Sequence, residues 1–249
     1  MAGKDAAQVL GESGATIPSM AGMQEAWLAA NPDMNLQVFL SGDVWLAIAS
    51  GVPVTIQLVL WSAAAGVMLG LPLALARLSP NGFLRLPAIF YIFDFRGVPA
   101  LVLLYVLYYG LAQIDWIRTS FLWRPLLRHA YWCAVIAFCL QAAAYGAEVI
   151  RGAILAIPRG EIEAARALGM TRLHTARRIA LPHALRAALG PYGNELILSV
   201  KATATASLVG VFDILGRATQ IRRDLLDPLT PLVVAGVLYF AIVLTARGM

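Results

Sequence analysis

Residues 151–186 read RGAILAIPRGEIEAARALGMTRLHTARRIALPHALR. The stretch carries seven arginines (Arg151, Arg159, Arg166, Arg172, Arg177, Arg178, Arg186) and two glutamates, Glu161 and Glu163. Apolar runs too long and too poor in charge for a soluble domain flank it on both sides. A segment this charged sits in water, because each charge left in hydrocarbon costs at least ~2.5–3.5 kcal/mol on insertion scales. It also holds two short helical patterns, so a structured loop that touches a partner is expected.

Inside the loop, Pro158 suits the first turn of a short helix over 159–168. Gly169 stops that helix, since glycine tolerates the left-handed backbone of a tight turn. Thr171 is a fitting N-cap for a second helix over 172–181, with Leu173, Ala176 and Ala180 on one face. Pro182 is expected to end it. The small residues Ala164 and Ala165 suggest close packing into a partner's groove.

The whole chain has 249 residues, 60% of them hydrophobic and only 13% charged, with a mean hydropathy of +0.73. A soluble domain is about 25% charged, so this is an all-α polytopic membrane protein with no linker-separated second domain. The net charge of +5 does not indicate nucleic acid, because the basic residues cluster in loops beside apolar runs. Cys133 and Cys139 lack metal-ligand spacing and read as packing residues.

Residues 1–44 form a polar N-terminal extension, with a short helical pattern over 24–30 and an interfacial helix pattern over 36–48. No signal peptide is read at its start. The membrane domain, 45–249, shows five apolar runs long enough to cross a ~30 Å core: 53–76, 83–112, 131–155, 187–212 and 230–246. The last, at seventeen residues, is a bare minimum, which suggests a shortened or atypical tail. Gly66 and Gly70 form a GxxxG pair that lets another helix approach. Asp94 and Arg96 stand before Gly97-Val98-Pro99, either pairing at a helix break or lining a path. The residues from 213 to 229 read as a loop. Placing 151–186 in the cytoplasm puts ten Lys/Arg inside and seven outside, which favours an external N-terminus.

Glu163-Ala164-Ala165, then Gly169, then Ile179-Ala180-Leu181-Pro182 resemble the EAA loop of ABC-importer permeases. Phe95-Arg96-Gly97-Val98-Pro99 with Tyr108-Tyr109-Gly110, the run from Tyr145 to Ala153, and Asn194-Glu195 with Lys201-Ala202-Thr203 are similar to segments of the polar amino-acid permeases. The RGVP and KATA variants look most like the histidine, lysine-arginine-ornithine and opine branch. The chain departs from the family at Ala202 and Ala204, where aspartate and serine are usual.

This resemblance implies a type I ABC importer transmembrane domain over 45–249, with a five-helix core and a coupling loop over 157–182. It implies a bacterial inner-membrane location and alternating access driven by a separate ATP-binding subunit that holds the ATP-Mg. A second permease subunit, sister or identical, and a substrate-binding protein complete the assembly. The chain itself shows no GxxxxGK[ST] phosphate loop, so no cofactor is assigned to it, and no metal.

For coupling, the resemblance points to Glu163, Ala164, Ala165, Gly169, Ile179, Leu181 and Pro182. Glu163 is expected either to pair with an arginine of the ATPase or to cap the loop internally. For the substrate, which the resemblance implies is a polar amino acid of the basic kind (histidine, arginine, lysine, ornithine or an opine), the pathway candidates are Asp94, Arg96, Glu148, Asn194, Glu195 and Lys201. Intramembrane charges either line a cavity or pair with one another, Glu195 with Lys201 being the example of such a pair here. A cationic solute favours Glu195 and Glu148. An ATPase-independent carrier or channel is the rival reading. An intramembrane enzyme is disfavoured, since His129, His174 and His183 form no HExxH and no GxSxG occurs in the spans.

Overall fold

A computed structural model of the protein describes residues 22, 39, 41–121 and 123–247. The helical pattern over 24–30 lies outside the described residues. The chain divides into two units, 1–41 and 42–249, and the second contains every element below. All regular structure among the described residues is helical.

The first span, Gly42–Leu78, runs for 37 residues and is built from α1 (Gly42–Ala49), α2 (Val52–Met68) and α3 (Gly70–Leu78). It starts ahead of the expected boundary at residue 53. The described part of the interfacial pattern, from Gly42 on, is the opening of this span, because Ile48 is fully buried rather than laid on a surface. Pro53 sits in the first turn of α2, as expected.

Helix α4 (Gly82–Gly97) is capped by Asn81, whose side chain accepts from the Phe83 N–H at 3.0 Å. The expected single span over 83–112 is broken: the chain turns through 101° between α4 and α5 (Ala100–Tyr105), which continues to Gln113. Pro99 disfavours helical backbone at the residue before it, and Val98 is extended. The Gln141 side chain donates to the Val98 carbonyl at 3.0 Å, supplying a partner that bilayer interior cannot.

After a short helix α6 (Asp115–Arg118) comes α7 (Ala130–Leu155), the central span. It packs against α2, α3 and α4. Leu58, Leu104, Cys133, Ala137, Phe138 and Ala206 form the main core cluster. Cys133 and Cys139 are free thiols, consistent with packing roles.

The charged loop folds as α8 (Arg159–Ala167) and α9 (Arg172–Thr175). A π-helical turn, Ala176–Ala180, then leads without interruption into α10 (Leu181–Thr203), which also packs against α7. Pro182 therefore does not end a helix. It lies in the first turn of α10, directly after the π-helical turn whose last bond runs from the Leu181 N–H to the Ala176 carbonyl, so the irregular hydrogen bonding falls beside the residue that has no N–H to give.

A 3-10 stretch, Ala204–Val209, and the left-handed Gly210 (φ 88°) lead to α11 (Ile214–Asp224), bent 44° from the preceding helix, and then to α12 (Thr230–Arg247). Much of the expected loop over 213–229 is thus helical. Asp213 Oδ1 accepts from the Gly216 N–H at 2.8 Å as its N-cap, a start signal that was readable in the sequence. Among the described residues three helices are long and apolar enough to cross a membrane, or up to five spans if each bent pair counts as one.

Candidate functional site

The geometry of the charged loop follows from its backbone hydrogen bonds. Gly169 has φ 72°. Its N–H donates to the Arg166 carbonyl at 2.9 Å, and the Met170 N–H donates to the Ala165 carbonyl at 3.0 Å. This is a Schellman ending, which requires a left-handed residue at Gly169. Two residues on, Thr171 Oγ1 accepts from the His174 N–H at 3.3 Å and opens α9.

A second tie crosses the loop. His183 Nδ1, in the first turn of α10, lies 3.6 Å from Glu161 Oε2 on α8. The two alanines divide: Ala165 is buried within the chain itself, whereas Ala164 is exposed. Glu163 is exposed too, with no ion pair among the described residues. Leu168 and Leu173, either side of the turn, are 82% and 71% exposed. Leu173 was expected on one helix face with Ala176 and Ala180, whereas Leu168, equally visible in the sequence, had not been singled out.

Within the spans, a cavity of about 220 Å³ lies between α2, α7 and α10. Glu195 lines it with Ser62, Gln141, Tyr145, Tyr192 and Ser199. The cavity forms where backbones approach closely: Gly66 and Gly70 face Ala142, Gly146 and Ala147 with no room for added carbons. Tyr192 Oη also donates to the Ala63 carbonyl beside Gly66. Glu195 has no cationic partner within 4.0 Å among the described residues. Lys201, Asn194 and Asp94 are exposed and line neither this cavity nor the next. The Glu195–Lys201 pairing is therefore not made.

Glu148 is in a different situation. Arg77 of α3 pairs with its Oε1, Arg151 Nη2 donates to Oε2 at 3.0 Å, and Arg96 Nη1 stands 3.9 Å from Oε2. Arg96 does not pair with Asp94. Its guanidinium instead lies 5.2 Å above the Tyr145 ring, and Tyr145 Oη donates to the Arg96 carbonyl at 3.4 Å. A second cavity, of about 350 Å³, opens beside Arg77 and Arg96, with Ile89, Ile92 and Phe93 of α4 as its apolar wall. Arg77, which follows the apolar run 53–76, is not among the pathway candidates named from the sequence, because its partner is 71 residues away.

Comparison with known proteins sets this architecture in a family. Residues 66–249 match the model described as "Binding-protein-dependent transport system inner membrane component". The chain is 45% identical over 197 residues to the octopine transport system permease protein OccM of Rhizobium meliloti, covering 79% of this chain and 80% of that protein. It is 39% identical over 193 residues to the histidine/lysine/arginine/ornithine transport system permease protein HisM of Salmonella typhimurium, covering 78% and 82%. Among solved structures, an amino acid ABC transporter crystallised with histidines superposes with a TM-score of 0.73 at 32% identity, over 81% of this chain and 90% of that one. The inward-facing MetNI methionine ABC transporter shares the fold, with a TM-score of 0.64 at 23% identity over 84% and 94%. With helices, glycine contacts and charged loop all in place, the chain belongs to the binding-protein-dependent transport system inner membrane components and is the permease subunit of an ATP-binding cassette importer.

Proposed function

We propose that this permease moves basic amino acids or opines inward across a bacterial inner membrane, by alternating access driven by ATP hydrolysis in a partner subunit. The observation that carries the substrate reading is Glu195, a carboxylate with no cationic side chain within 4.0 Å among the described residues, facing a mid-span cavity. Such a group is costly in a membrane unless a cation or water meets it. Glu148 is already engaged by arginines, so the solute's cationic end goes to Glu195. The relatives named for octopine and for histidine, lysine, arginine and ornithine handle solutes of that chemistry.

The coupling knob supports the rest. Glu163, Ala164, Leu168 and Leu173 are exposed around the Gly169 turn and dock into the ATP-binding subunit, while Ala165, Gly169 and Thr171 hold the knob's shape. Ile179, Leu181 and Pro182 join it to α10 and carry its motion into the spans. The knob faces the cytoplasm, a second permease subunit completes the pathway, and a binding protein delivers solute from outside.

Proteoliposome uptake with the cognate ATPase and binding protein tests this. Labelled arginine or octopine should enter only with ATP, and Glu195→Gln should lower uptake about tenfold or more, the loss of one charge-assisted contact. Full uptake by that variant would remove Glu195 from the pathway. Uptake without the ATPase would favour the carrier reading.

A further inference from the structure

Tyr145 lines both cavities. On one side of it stands Glu195, with no cationic side chain within 4.0 Å among the described residues. On the other stand Arg77 and Arg96. Three guanidiniums, those of Arg77, Arg96 and Arg151, converge on the single carboxylate of Glu148. Among the described residues no other carboxylate lies within 4.0 Å of them, so positive charge remains in excess. Counting Glu195, across the neighbouring cavity, still leaves an excess. Glu148 lies seven residues before the end of α7 at Leu155, or ~10 Å inward along the axis. At that depth unbalanced charge is costly, and an anion is the natural complement.

The arrangement is therefore two adjoining cavities of opposite charge, divided by one tyrosine. We infer that the Arg77–Arg96 cavity is the carboxylate subsite of the solute pathway, and that a solute with separated charges bridges Tyr145, its cationic end at Glu195 and its carboxylate at the arginines. Guanidinium matches a carboxylate with two parallel N–H donors. Arg96 is the better placed of the two: its contact to Glu148 is the longest of the three, at 3.9 Å, and its side chain is 43% exposed. Glu148 is then a positioning residue that holds the guanidiniums apart and aimed. The surplus of positive charge also suits solutes with more than one carboxylate, the feature that separates an opine from its parent amino acid.

This inference rests on the proposed pathway through the Glu195 cavity. Its test avoids the binding protein, which selects solute by itself. Equilibrium binding of arginine and of arginine amide, which lacks the carboxylate, is measured on the purified permease–ATPase complex. The wild-type complex should bind arginine about tenfold more tightly than the amide, the scale of one charge-assisted pair. Arg96→Gln should erase that preference, Arg96→Lys should keep part of it, and Glu195→Gln should weaken both ligands alike.

A preference unchanged in Arg96→Gln overturns the inference, as does a wild-type complex that binds acid and amide equally. Persistence of weak amide binding in Arg96→Gln shows that the variant is folded. If the complex binds glutamine rather than arginine, the basic-substrate reading fails, and the same comparison of glutamine with its α-amide still decides the carboxylate subsite.

Discussion

Gly146 on α7 lies so close to Gly66 on α2 that a Cβ on Gly146 would overlap the Gly66 backbone. Four residues further along the first span, at the start of α3, the approach repeats against the next residue of α7: a Cβ on Gly70 would stand 2.9 Å from the Ala147 nitrogen. Small residues at this crossing let the two spans pack by van der Waals contact, which drives helix association where the solvent is itself apolar. The same crossing sets the wall of the Glu195 cavity.

Gly146→Val should therefore displace α2 from α7. Overpacking costs about 1–3 kcal/mol or more when backbone rather than a side chain must yield. Gly236→Ala on α12, where an added Cβ meets nothing within 4 Å, should fall within about 1 kcal/mol of the wild type. Thermal unfolding in detergent compares them, and equal melting temperatures for the two variants would contradict the packing account.

Glu148 and Glu195 should respond differently to the same change. Glu148→Gln leaves three arginines around a neutral amide, and removing one partner of a largely buried ion pair costs about 3–5 kcal/mol. The expected result is little folded protein on size-exclusion chromatography. Glu195→Gln removes a carboxylate that has no ion-pair partner, so yield and melting should hold while solute affinity falls. Similar yields for both would undo the distinction.

Gly169→Val forces a β-branched residue into a left-handed conformation, at a cost of at least ~1–2 kcal/mol. A Cβ there meets nothing within 4 Å, so strain alone acts, and it acts on the knob. Membrane insertion should persist while ATP-dependent uptake is lost. Normal uptake would show that the Schellman turn is dispensable.

Asp213 is fully buried, and its Oδ2 accepts from the Tyr239 hydroxyl at 2.7 Å, tying the start of α11 to α12. Tyr239→Phe deletes that donor while keeping the ring. A loss of about 1–3 kcal/mol is expected, the cost of an unmatched buried acceptor. Chemical denaturation in detergent measures it, and an unchanged midpoint would mean the carboxylate finds another donor.

Local signals carried far in this chain. The apolar runs, the Gly169 stop, the Thr171 cap and the Gly66/Gly70 pair were all legible, because each depends on residues within a turn or two of itself. Asp213 carried an equally local cap signal that had gone unread, and α11 was missed with it. The break at Val98-Pro99 was signalled by its proline, but its 101° angle was not, since the direction depends on Gln141 of another helix catching the freed carbonyl.

What the sequence by itself determined is the class of molecule: a helical membrane protein interrupted by a charged helical loop, because hydrocarbon excludes charge and a bilayer admits few backbone solutions. Only the tertiary structure decided which charges meet. Glu148 gathers Arg77, Arg96 and Arg151, whereas Glu195 is left facing a cavity. Two glutamates that look alike in sequence are separated in role by how spans distant along the chain pack together, and a linear reading does not contain that packing.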